Sequence, residues 1–237
     1  MTEPTISAPL ETLRKRVQEA TQRLLGDTIG IPDAEWNLGS RLPGWSRANV
    51  AAHVAANAEA LAAATDAAVA GTSVELYPDP ERRRADIEAG SALSGLDLQI
   101  RLDTTAGQLE SALDAVRDWS TPIRLQGREL TVAQVPLARL AEVTAHHLDL
   151  SCDFDLDRLD PTVARWLLQW ALFWHATDAD LPAVRLESSS GVVAELGSGT
   201  EPRPITGTDA RLWAWVLGRR GLDGSPDADG ARLAVRS

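Results

Sequence analysis

One stretch limits the fold more than any other. From about Arg47 to Ala70 the chain has no proline or glycine and is rich in alanine, the best helix former. Val50, His53, Val54, Asn57 and Leu61 fall on one face of that helix, so this face is expected to be buried. Ser46 is placed to cap its start, and Gly71 ends it. Such a helix needs partners, and the rest of the chain supplies them. Leu10, Leu13, Val17 and Leu24 predict an amphipathic helix over Leu10–Leu25, broken by Gly26, Gly30 and Pro32. Further helices are expected at about Glu81–Ala89 and Leu96–Arg117. A short hairpin around Ile123–Leu130 turns at Gly127. Thr131 and Gln134 resemble a capping box that opens a helix running to about Leu150, with Pro136 near its first turn as a place for a kink.

Beyond Leu150 the pattern changes. Ser151 to Pro161 is acidic and has the composition of a linker. A helix from Pro161 to Ala176 carries Trp166, Trp170 and Trp174 at four-residue spacing, which reads as core packing, with His175 as a structural neighbour. Strand-like runs follow at Ala183–Glu187, Gly191–Leu196 and Arg203–Thr206. A helix is expected over Asp209–Gly218, and a last strand over Ala231–Arg236. The predicted architecture is mainly α: an up-down four-helix bundle in residues 1–152, then a small α+β domain in residues 153–237.

Composition narrows the function. The formal net charge of -11 disfavours nucleic acid and anionic membrane surfaces, which call for a basic face. No run approaches the roughly 20 apolar residues of a membrane span, and the first residues lack the apolar core of a signal peptide. A cytoplasmic location is therefore expected. The single cysteine, Cys152, excludes an internal disulfide framework and a thiolate zinc cluster, and reads as a small buried residue.

The chemistry lies with the scarce histidines, His53, His146, His147 and His175. Glu142 and His146 are four residues apart on one helix, so they lie about 40° apart and one turn along it. That spacing can direct a carboxylate oxygen and an imidazole nitrogen at one ion, with His53 from a second helix as the third ligand. Two nitrogens and an oxygen suit zinc, with a fourth position left for water or substrate, although nickel and iron accept the same donors. Against this stand two plain readings: a mid-helix histidine is often a satisfied core residue, and a Glu-x3-His pair is often an exposed ion pair. His147 is rotated about 140° from Glu142 and is a poorer ligand. Asp149, three residues after His146, is placed to orient a ligand histidine or to bind part of a substrate, and Asn57 is placed similarly with respect to His53. Arg219 and Arg220 either complement a helix C-terminus or clamp substrate carboxylates.

LPGWSRANVAAHVAANAEAL (Leu42–Leu61), ELYPDPERRRADIEAGS (Glu75–Ser91), RLAEVTAHHLDL (Arg139–Leu150) and TGTDARLWAWVLGRRG (Thr206–Gly221) together resemble the mycothiol-dependent maleylpyruvate isomerase family, one of the DinB-like metal-binding bundles. The resemblance covers nearly the whole chain. It implies His53, Glu142 and His146 as metal ligands and Arg219 as a catalytic or substrate-binding arginine, ambiguous by one residue with Arg220. It also implies mycothiol as thiol cosubstrate, which Asn57, Tyr77 and Asp149 would help to bind. The arginine-rich, lysine-poor composition, with Lys15 alone, suits a GC-rich actinobacterial source.

In the reaction so implied, a thiol sulfur reaching the open zinc position is deprotonated. The thiolate adds to the cis double bond of maleylpyruvate, the new single bond rotates, and elimination gives the trans product. Arg219 would hold a carboxylate and favour the enolate charge. Two other readings stay open: a mycothiol S-transferase that releases the conjugate, and a non-catalytic sensor or anti-sigma-like binding protein. The oligomeric state is not legible.

Overall fold

The structure, a computed structural model, describes residues 8–219 apart from 73, 78, 126, 153 and 177–181. The expected last strand and Arg220 lie outside the described residues. The chain separates into two compact units, one of Pro9–Phe154 and one that begins at Asp155.

In the first unit, α1 (Leu10–Ile29), α2 (Arg47–Val69), α4 (Gly95–Ala115) and α5 (Val135–Asp149) form the expected bundle. α2 packs on α4 and α5, and α1 on α5 and α4. The shorter α3 (Pro80–Ser91) lies against α2. The Ser46 side chain accepts from Asn49 N at 3.1 Å, while the Asn49 side chain accepts from Ser46 N at 3.0 Å, so both partners of a capping box are in place. α2 is buried on most sides rather than on one face: Ala48, Ala51, Ala52, Ala55 and Ala58 are as hidden as Val50 and Leu61. Alanine is small enough to let three other helices approach closely, which is what its abundance in α2 permits.

α1 runs through Gly26 and ends four residues later than expected. Glycine costs about 1 kcal/mol in a helix interior. Burial of Leu24 and Thr28, and a 2.7 Å hydrogen bond from Gln99 Nε2 to the Thr28 carbonyl, hold the last turn. β1 (Pro122–Leu125) and β2 (Arg128–Thr131) form the hairpin, paired Pro122 to Thr131 and Leu125 to Arg128. Gly127 in its turn takes φ +76°, a conformation that favours glycine. Thr131 and Gln134 form the capping box before α5. Pro136 sits in the first turn, where a helix has no use for the missing N–H.

The second unit holds α6 (Pro161–His175), β3 (Pro182–Ser188), β4 (Val193–Leu196), β5 (Ser198–Gly207) and α7 (Asp209–Val216). Its sheet order is β4-β3-β5, with β3 antiparallel to β4 and parallel to β5. Asp160 caps α6 by accepting from Thr162 N and Val163 N. The two helices pack on each other, and Trp166, Trp170, Leu212 and Trp213 are buried, while Trp174 is half-buried against Trp170. The acidic stretch expected as a linker is partly ordered: a 3₁₀ turn at Leu156–Arg158 buries Leu156, and Asp157 pairs with Arg211 at 3.1 Å. Leu156 is one of several apolar side chains in this acidic run, and its burial seats the turn. Among the described residues no helix is long and apolar enough to cross a membrane.

Candidate metal centre

The two helices that carry the predicted ligands bring them together. His53 projects from the second turn of α2, and Glu142 and His146 project from successive turns of α5. His53 Nε2 lies 3.1 Å from Glu142 Oε2, and His146 Nε2 lies 3.4 Å from the same oxygen. One donor atom from each of the three falls within 4.8 Å of the other two. Donors about 2.0–2.1 Å from a tetrahedral ion sit roughly 3.3 Å apart, so the two spacings to the Glu142 oxygen are those of zinc ligands. Both imidazoles are buried, whereas the Glu142 side chain keeps 29% of its surface exposed. The imidazole rings of His53 and His146 meet edge-on with centroids 4.5 Å apart, and Trp45 closes on His53 from another side at 5.7 Å.

The outer partners set which ring nitrogens face the centre. Buried Asp149 lies 2.9 Å from His146 Nδ1 through Oδ2, which fixes that ring and leaves Nε2 inward. Arg83 Nη2 lies 3.1 Å from His53 Nδ1. A guanidinium nitrogen only donates, so Nδ1 accepts and the His53 proton sits on Nε2, donating to Glu142.

The electrostatics are consistent with these bonds. Burial, aided by the nearby charge of His146, lowers the pKa of His53 to about 4. Burial opposes protonation of His146 too, but its hydrogen bonds to Asp149 and Glu142 and their charges outweigh this and raise its pKa. Burial would raise Glu142, yet hydrogen bonds from both histidines hold it well below the usual carboxylate range. In the absence of an ion the cluster is thus a carboxylate between one imidazole whose protonation burial opposes and one whose protonation its carboxylate partners favour.

The other expected site residues are placed as follows. Asn57, one turn beyond His53, makes its hydrogen bonds elsewhere: its Nδ2 donates to Tyr77 OH at 3.3 Å and its Oδ1 accepts from Arg139 at 3.0 Å. Tyr77 lies under the Arg83 guanidinium, 4.3 Å from ring to Cζ, and burial raises its pKa. His147 turns away from the cluster to Asp27 of α1, at 2.8 Å. Cys152 is half-buried and packs against the bundle core. In the second unit, Arg219 Nη1 donates to the Leu217 carbonyl at 2.8 Å, just past the end of α7.

Two cations went unremarked in the sequence. Arg83 stands in a run of three arginines that reads as a solvated helix face. Arg139 is fully buried, donates to the Val54 carbonyl at 2.7 Å, and is lowered by burial to a pKa of about 10. Its spacing of three residues before Glu142 was a signal that it shares the inward stripe of α5.

The sequence profile of the mycothiol maleylpyruvate isomerase N-terminal domain matches residues 8–151, which include all three clustered residues. The chain belongs to this family. A search of curated proteins finds no match. Two solved structures are similar to the whole chain. The crystal structure of the mycothiol-dependent maleylpyruvate isomerase is 25% identical, with a TM-score of 0.86, and 94% of each chain is covered. A histidine-to-alanine mutant of that isomerase is 24% identical, with a TM-score of 0.85, and 98% of this chain and 95% of that one are covered. For this member of the mycothiol maleylpyruvate isomerase family, the buried cluster lies within the matched domain, and the α+β unit lies beyond it.

Proposed function

We propose that the protein is a zinc- and mycothiol-dependent enzyme that activates the thiol for addition to an electrophile, of the maleylpyruvate cis–trans isomerase type. The observation that carries this reading is the convergence of His53 Nε2, His146 Nε2 and a Glu142 oxygen close to ligand spacing. Three protein donors rather than four is the arrangement of a catalytic zinc site. Bound there, zinc would supply the charge that keeps a thiol sulfur ionised at neutral pH.

The chain's own residues do the rest. Asp149 fixes the His146 ring so that its Nε2 lone pair is directed at the centre. Both histidines are buried, and the low-dielectric surroundings strengthen their charge interactions. Tyr77, held by Asn57, presents a hydroxyl and an aromatic face beside the cluster, suited to the polar body of a thiol cosubstrate. We assign Arg219 to a substrate carboxylate, where it would favour the negative charge that develops after thiolate addition. Arg220 stands next to it in sequence.

The test is direct. Purified protein should contain close to one equivalent of zinc and convert maleylpyruvate to fumarylpyruvate only when mycothiol is added. Arg219→Ala should keep the metal and lose at least about a hundredfold in turnover, as loss of a single charge-stabilising donor does. Accumulation of a mycothiol conjugate with a test electrophile, without fumarylpyruvate, would move the assignment to an S-transferase. Protein with less than a tenth of an equivalent of zinc, nickel or iron would overturn it.

A further inference from the structure

We propose that Arg83 forms a carboxylate subsite beside the metal centre, and that loading of the ion makes this subsite available. The proposal rests on the zinc reading above but not on the isomerase reaction.

Arg83 reaches the cluster from α3, an element that contributes no metal donor. Its guanidinium lies over the face of Tyr77, which Asn57 of α2 holds in place. Its Nη2 donates to His53 Nδ1, and its Nε is buried with no hydrogen-bond partner. Nε–H and Nη2–H leave the planar guanidinium on the same edge, a fork that matches the two oxygens of one carboxylate. The same edge of Arg101 grips Glu59 in this way elsewhere in the bundle, at 3.1 and 2.9 Å. At Arg83 the fork meets a single nitrogen, so one arm is used and the other is idle.

Metal binding removes even that arm. An ion on His53 Nε2 takes the lone pair there, and the one proton of the neutral imidazole must then sit on Nδ1. His53 stays neutral throughout; the proton only changes nitrogens. Arg83 Nη2–H would now face Nδ1–H, donor against donor. The guanidinium has to turn on its Tyr77 seat, and His53 then accepts from neither arm of the fork at the edge of a partly buried, cationic centre. A carboxylate on a small molecule bound at the ion satisfies both arms and the charge. The fitting ligand class is therefore a small organic anion with a carboxylate near its reacting carbons. A dicarboxylate such as maleylpyruvate would leave its second carboxylate for another cation.

Maleate is a simple probe, titrated calorimetrically into wild type, Arg83→Lys and Arg83→Met, with zinc affinity measured separately by chelator competition. Zinc-loaded wild type should bind maleate at least tenfold more tightly than the metal-free protein. Arg83→Met should lose at least tenfold in maleate affinity in the loaded form. Arg83→Lys, which keeps the charge but not the fork, should fall between. Arg83→Met should hold zinc as tightly as wild type or up to about tenfold more tightly, since the competing hydrogen bond is gone. Equal maleate affinity in wild type and Arg83→Met, or no maleate binding by the loaded wild type, would overturn the proposal. So would a loss of zinc affinity in Arg83→Met, which would make Arg83 a support for His53. A wild-type protein that takes up no zinc fails earlier, in the chelator titration, and that outcome removes the zinc reading itself.

Discussion

The two units hide different things. Among the described residues, the bundle buries His53, Asn57, Arg139, His146, His147 and Asp149, whereas Asp209 is the one charged side chain buried in the second unit, where it accepts from Ser190. Burying polar groups costs free energy unless each finds a partner, and charged ones cost most. In the bundle they do find partners, and three of those named, His53, His146 and Asp149, form one connected set with Glu142 and Arg83. The second unit instead closes around Leu186, Leu212, Trp213 and Val216, an interior that is mainly apolar. One core holds polar side chains that converge at a single cluster; the other is filled chiefly by apolar side chains. Substitutions in the first should be read out in metal affinity, and those in the second in stability.

The largest break should come at His53. Removing one of three donors from His53→Ala should cost about 4 kcal/mol of zinc binding, roughly a thousandfold, as a share of the total that such sites supply. Chelator competition measures it directly, and a His53→Ala protein that keeps a full equivalent of tightly held zinc would end the contrast. In the second unit, Leu212 is fully buried, and Leu212→Ala should destabilise by about 2–5 kcal/mol through the cavity it leaves. Urea unfolding reports that loss, while zinc content at low urea should stay near one equivalent. Loss of zinc there would mean that the two interiors are not separately specified.

A sharper form of the comparison lies between neighbours on α5. Asp149→Ala removes the acceptor that orients His146 and should weaken zinc by about 10–100-fold. His147→Ala removes instead the tie to Asp27 on α1, so it should cost about 1–3 kcal/mol of stability and leave zinc affinity nearly as it was. If His147→Ala loses zinc as fully as His146→Ala, the ligand has been placed one residue off.

How much of this was legible follows from what periodicity can fix. Four residues on a helix return nearly to the same direction, so Glu142 and His146 could be put on one face from spacing alone, as could Asp149 behind His146. That α2 would deliver His53 to the same point needed helix pairing, which the alanine content made possible and the family resemblance supplied. Arg83 could not be found that way. In Arg82, Arg83 and Arg84 nothing local says which one turns inward. The choice is made by how α3 seats on α2, where a Cβ on Gly90 would come within 3.0 Å of the Ala52 Cβ. Gly26 and the acidic stretch after Leu150 misled for a related reason. Local propensity pointed to breaks, and burial of Leu24, Thr28 and Leu156 outweighed it.

The smallest expected effect concerns pH, and it probes whether the polar interior is tuned for an ion. Without metal, Asp149 and Glu142 raise the pKa of His146 above its ordinary 6.5, while burial holds His53 neutral down to about 4. An ion at the cluster needs the His146 Nε2 lone pair and must displace the proton on it. Below the raised pKa of His146, each zinc bound should therefore release one proton, and the apparent affinity should fall tenfold for each pH unit lost. Above that pKa the nitrogen is already free, and the affinity should level off. His53 adds no second proton until the pH nears 4, so the slope between should stay near one rather than two. Chelator competition from pH 5 to 9 draws this curve, and proton release in a weakly buffered solution counts the stoichiometry. A flat curve across that range would mean that His146 is not the protonated partner, and that the pairing of Asp149 with Glu142 across its ring holds something other than a site kept ready for a cation.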